Sequence, residues 1–166
     1  TVFLLGGSLV CPAGKENTLW AAYVLGFFGF CVKAAVFPGH KWLRRASVAP
    51  TPVTALLHAV AVVKAGAFAV LRLIYYGFGA DFLRGSWAQT VVMTAAIVTI
   101  VYGSARALRT PHLKRRLAFS TVSNLSYILF ALTLMTPAGM VGGMTHMVYH
   151  AFTKITMFCC AGAIIL

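Results

Sequence analysis

Apolar residues in this chain come in long unbroken runs rather than in the alternation of a half-buried strand. Residues 18–37 form one such run, closed by Phe37-Pro38-Gly39. Another, 53–75, opens behind Pro50-Thr51-Pro52, where prolines suit a helix start better than a helix interior. Residues 87–107 and 117–136 follow, and 140–166 is entered through Pro137-Ala138-Gly139. Residues 1–10 make half a run. A helix that crosses hydrocarbon needs about 20 mostly apolar residues. The pattern therefore predicts an all-α integral membrane fold with about five full transmembrane helices plus a partial one. Closed β-barrels alternate in hydrophobicity, and these runs do not. The whole chain, 1–166, reads as a single membrane domain.

Composition agrees and adds a question. Apolar residues make up 60% of the chain and charged residues 10%, against about 25% charged in soluble domains. Fourteen Lys and Arg face two acids, Glu16 and Asp81. A soluble nucleic-acid binder would match that charge but not a mean hydropathy of +0.87, so no nucleic-acid partner is expected and the lipid bilayer is. The four cysteines lack metal-ligand spacing and read as inert buried thiols. The chain opens without Met and stops within an apolar run, which reads as an internal piece of a longer membrane protein.

The cations also test the span count. If the helices alternate in direction, the 38–52 and 108–116 connections share one side of the membrane. Lys41, Arg44, Arg45, Arg109, Lys114, Arg115 and Arg116 lie there, with Arg106 at the adjoining helix end. The opposite side carries Lys15, Arg72 and Arg84. This asymmetry places both basic connections in the cytoplasm; the expected location is the cell inner membrane.

Lys33, Lys64 and Lys154 remain, each inside an apolar run. Lys64 lies roughly 16 Å along its helix, beyond the reach of snorkelling to either surface. An ammonium at that depth costs about 2.5–3.5 kcal/mol on insertion scales and must face protein or trapped water. It reads either as a proton carrier or as a structural lysine paired with an unseen acid. Lys33 precedes Phe37-Pro38-Gly39 by four residues. In an unbroken helix it would snorkel to the cytoplasmic end. If His40-Lys41-Trp42-Leu43-Arg44-Arg45 instead forms a second short helix, Lys33 sits beside a break, tolerated only next to protein or a water-lined cavity. His146, His150 and Lys154 recur every four residues, so they share one stripe that rises about 12 Å. That stripe reads as a chain of proton relays or as a polar packing seam. His58 is rotated from Lys64 by about 120° and is an accessory candidate only. No third ligand completes a zinc site at His146 and His150, and no second His pair suits haem, so neither metal nor cofactor is expected.

Three blocks carry a specific likeness: Lys33–His58 (KAAVFPGHKWLRRASVAPTPVTALLH), Lys114–Tyr127 (KRRLAFSTVSNLSY) and His146–Gly162 (HMVYHAFTKITMFCCAG). Together they resemble the proton-translocating antiporter family: the antiporter-like membrane subunits of respiratory complex I, multisubunit sodium/proton antiporters and membrane-bound hydrogenases. The resemblance implies that Lys33 is the lysine of a broken helix and Lys64 the central lysine of the next. It also implies that His146, His150 and Lys154 lead toward a second half-channel, with His58 at a polar position typical of the family. The acidic partners it implies would lie outside the chain. Arg44-Arg45 stand where the family often has Pro-Asp, Phe119 replaces a tyrosine, and Asn124 and Ser126 stand where Gln and Gly are frequent.

The function expected is translocation of protons, or exchange of sodium ions for protons, by one subunit among other membrane subunits of a multisubunit antiporter or redox-driven pump. No active site of its own is expected. The implied setting is the membrane part of an NADH-quinone oxidoreductase-like translocase or a hydrogenase. The competing expectation is a non-transporting scaffold that anchors a redox module.

Overall fold

The computed structural model describes residues 3–5, 8–10, 14–37, 39–46, 51–59 and 62–165. Two short strands, β1 (Phe3–Leu5) and β2 (Ser8–Val10), pair antiparallel with Leu5 opposite Ser8. The apolar content of 1–10 predicts half a spanning helix there. A run this short cannot nucleate a helix on its own, and its described residues pair as strands instead.

Helices make up the rest: α1 (Glu16–Lys33), α2 (Lys41–Ala46), α3 (Thr51–Ala59), α4 (Val62–Arg72), α5 (Ala80–Leu83), α6 (Trp87–Arg109), α7 (Leu113–Thr133) and α8 (Pro137–Ile165). A π-helical turn, Leu73–Phe78, extends α4. Helix α6 begins at Ser86, whose hydroxyl accepts from Gln89 N at 3.2 Å, while Gln89 Oε1 accepts from Gly85 N. Arg106 and Arg109 stand in its last turn, where cations complement the exposed carbonyls. Helix α8 starts with Pro137 after Thr136, whose Oγ1 accepts from Gly139 N at 3.1 Å.

Among the described residues three helices are long and apolar enough to cross a membrane: Val53–Phe78, Trp87–Arg109 and Pro137–Ile164. The runs at 18–37 and 117–136 hold helices α1 and α7, which end at Lys33 and Thr133 and do not reach that composition. Their reasons differ. Helix α1 carries Glu16, Asn17 and Lys33 at its ends and buries the narrow stripe Tyr23, Phe27 and Cys31. Helix α7 is the centre of the bundle, packed by α2, α4, α6 and α8. Protein rather than lipid surrounds it, so it holds buried Thr121, Ser123, Ser126 and Thr133. Of these, Thr121 and Ser126 donate to carbonyls four residues back, and Thr133 to one three back.

Small residues bring the helices together. A Cβ on Gly103 of α6 would lie 3.1 Å from Ser123 N, and one on Gly143 of α8 would lie 3.4 Å from Ile128 O. Outward faces of α6 and α8 carry Ile97, Val98, Val101, Val148 and Phe152, an apolar exterior suited to lipid or to further helices.

Candidate functional site

The predicted helix break exists, and it begins earlier than Phe37-Pro38-Gly39. Helix α1 ends at Lys33, its C-cap is Ala34, and Ala35 takes φ 58. The chain re-enters a helix only at Lys41. Phe37 and Gly39 fall inside this non-helical stretch, while Pro38 lies outside the described residues. A positive φ at an alanine reverses the chain more abruptly than a proline at 38 requires, so Lys33 becomes the terminal residue of its helix.

Breaking a helix frees carbonyls, and here they are taken up locally. Ala34 N donates to Phe30 O, Ala35 N to Val32 O, and Val36 N to Cys31 O at 3.0 Å. Trp42 Nε1 on α2 donates back to Val32 O at 2.7 Å. The break rests on α4 at Gly66, where a Cβ would come 2.7 Å from Ala34 N. That approach sets the Lys33–Ala34 backbone two residues along α4 from Lys64. The Lys33 side chain is itself exposed.

On α8, His146 is exposed, while His150 and Lys154 are 4% and 2% exposed. The His146 and His150 rings stack with centroids 6.1 Å apart. Neither nitrogen of His150 has a hydrogen-bond partner among the described residues. An imidazole buried in that way costs about 1–3 kcal/mol unless water reaches it. Lys154 Nζ donates to Ser120 Oγ on α7 at 2.9 Å. Lys64, 8% exposed on α4, lies within electrostatic range of both His150 and Lys154.

Lys64 from α4 thus shares one buried region with His150 and Lys154, which stand one turn apart on α8. Both acids stand exposed at helix starts, Glu16 on α1 and Asp81 on α5. His58 falls in α3, which packs along α8, but its side chain lies outside the described residues.

Sequence reasoning missed His40. It is buried at the break beside Phe37 (centroids 5.8 Å), Tyr102 (5.0 Å) and Phe119 (6.4 Å). Phe37 N donates to Thr99 Oγ1 at 3.2 Å, and Arg106 stacks over Phe119. The break is therefore clasped by α6 and α7 as well as by α4. The only signal was a histidine directly after the Pro-Gly pair, and the reading assigned it to the start of the short helix. Ser120 was also missed, because its partner is 34 residues away in sequence.

Residues 9–166 match the family described as "NADH:quinone oxidoreductase/Mrp antiporter, TM". NAD(P)H-quinone oxidoreductase subunit 5 of Nuphar advena chloroplasts is 35% identical over 139 residues, covering 84% of this chain and 18% of that protein. NADH-quinone oxidoreductase subunit L of Mycobacterium tuberculosis is 34% identical over 154 residues, covering 93% and 23%. A chain of the Mrp complex from Dietzia sp. DQ12-45-1b superposes with TM-score 0.74 at 32% identity, covering 89% of this chain and 16% of that one. The chain spans about a fifth of the length of these relatives.

Proposed function

Because the chain belongs to the NADH:quinone oxidoreductase/Mrp antiporter transmembrane family, we propose that it forms the central helices of a subunit that moves protons, or exchanges sodium ions for protons, across a membrane. Protons pass laterally from Lys33 at the broken helix to Lys64, then to His150 and Lys154, with His146 and His58 as flanking groups. The observation that carries this reading is the burial of Lys64, His150 and Lys154 in one bundle, with Lys154 bonded to Ser120 of α7, the helix that also packs against α4. A buried imidazole without a hydrogen-bond partner among the described residues supports it, since bridging water can accept from one ring nitrogen and donate to the other.

The setting follows from the same family. The subunit works beside other membrane subunits of an antiporter or a redox-driven pump. In the cell inner membrane, residues 1–166 form one multi-pass domain with five spans. The basic connections 38–52 and 108–116 then face the cytoplasm.

A scaffold that merely anchors a redox module would keep the polar row for packing. Lys33→Met and Lys64→Leu in the full-length subunit separate the two. Each variant is expected to cut ion exchange in vesicles by about two orders of magnitude while assembly persists. Undiminished exchange in both would establish the scaffold reading instead.

A further inference from the structure

Ser120 faces more than Lys154. An open and largely apolar pocket of about 560 Å³ lies between α6, α7 and α8, and its polar groups come from Ser104, Ser120, Ser123, Asn124, Tyr127 and Arg116. This volume is far more than a single water needs. The wall is built by close helix packing. Gly103 sits against the Ser123 backbone, and that approach brings Ser104 Oγ to 2.9 Å from Ser123 Oγ. Asn124 Nδ2 donates to Ser120 O at 2.8 Å, which holds the amide along the same face.

The two ends of the cavity differ. Arg116 marks one end, its Nε donating to Thr110 O at 3.1 Å in the basic connection between α6 and α7. Ser120 lies one turn deeper, about 6 Å along α7. From its other side Lys154 reaches Ser120 Oγ, and Met157, one turn beyond Lys154, lines the cavity directly. A hydroxyl that accepts from an ammonium keeps one proton of its own to donate.

We infer that Ser120 is the hydroxyl through which cavity water exchanges protons with Lys154, making this cavity the access of the relay to the membrane face that carries residues 110–116. The inference rests on the relay reading above. In the release step, a proton of the Lys154 ammonium moves to Ser120 Oγ as the serine's own proton passes to a cavity water. The products are a neutral amine, an unchanged serine and a hydronium ion, and the reverse step reloads the lysine. The cavity also gives a role to Ser104, Ser123 and Asn124, which the row of lysines and histidines leaves unused.

The test uses the full-length subunit in its complex, reconstituted in vesicles. Ser120→Ala is expected to slow exchange about tenfold or more, and Ser120→Thr, which keeps a hydroxyl, to restore it. Asn124→Cys, in a background with the native cysteines replaced, is read with a cationic, membrane-impermeant methanethiosulfonate. It is expected to react about tenfold faster from the 110–116 side than Val101→Cys on the apolar exterior, because the reagent attacks a hydrated thiolate. Modification should block exchange. If Ser120→Ala exchanges normally, or Asn124→Cys resists the reagent, while Lys154→Ala abolishes exchange, the access route is wrong and the relay stands. If Lys154→Ala exchanges normally, both fall.

Discussion

At the scale of single residues, His150 separates transport from packing most cleanly. A histidine kept for stability would make hydrogen bonds, and this one makes none among the described residues. Replacing it by leucine removes a buried polar group that nothing in the protein satisfies. His150→Leu is therefore expected to leave the Tm of the complex unchanged or raised, with exchange reduced by about two orders of magnitude. A fall in Tm with exchange retained would make His150 a packing residue. The stripe of His146, His150 and Lys154 was legible from four-residue spacing alone. Its exposure gradient was not, because spacing fixes the face a residue shares and not what covers that face. Lys64 was legible from depth, and its meeting with Lys154 only from the fold.

At the scale of elements, the broken helix is the feature most sharpened by the structure. The Phe37-Pro38-Gly39 signal predicted a discontinuity, and the helix yields at Lys33 instead because Ala35 turns the backbone left-handed. No residue type at position 35 announces that. The turn is held by tertiary contacts from Gly66, Trp42 and Thr99. Gly66→Ala tests the seat on α4. In an open helix alanine would gain about 1 kcal/mol over glycine, whereas a Cβ 2.7 Å from Ala34 N should cost about 1–3 kcal/mol. Thermal unfolding gives the sign, and stabilisation would contradict the contact. Trp42→Phe keeps an aromatic ring but loses the indole N–H that donates to Val32 O, so a loss of at least about 0.5–1.5 kcal/mol is expected by the same measurement. A neutral result would remove the indole from the account of the break.

For the whole molecule, the apolar runs predict five full spans, whereas three of the described helices are long and apolar enough to cross a membrane. Helix α7 shows why the two differ. It carries buried hydroxyls that lower its mean hydropathy, and most of them are satisfied by carbonyls of α7 itself. Sidedness follows if α6 crosses the membrane between residues 87 and 109. An impermeant maleimide should then label Arg115→Cys and Asp81→Cys from opposite faces of the membrane. Labelling of both from one face would overturn the topology.

The central claim is that Lys64 and Lys154 act in one relay. The direct measurement is exchange per assembled complex in vesicles for Lys64→Ala, Lys154→Ala and the double variant. Groups that act as a unit are not additive, so each single variant should lose about two orders of magnitude and the double no more than either. Losses that multiply in the double variant, or singles that exchange at the native rate, would contradict a shared path.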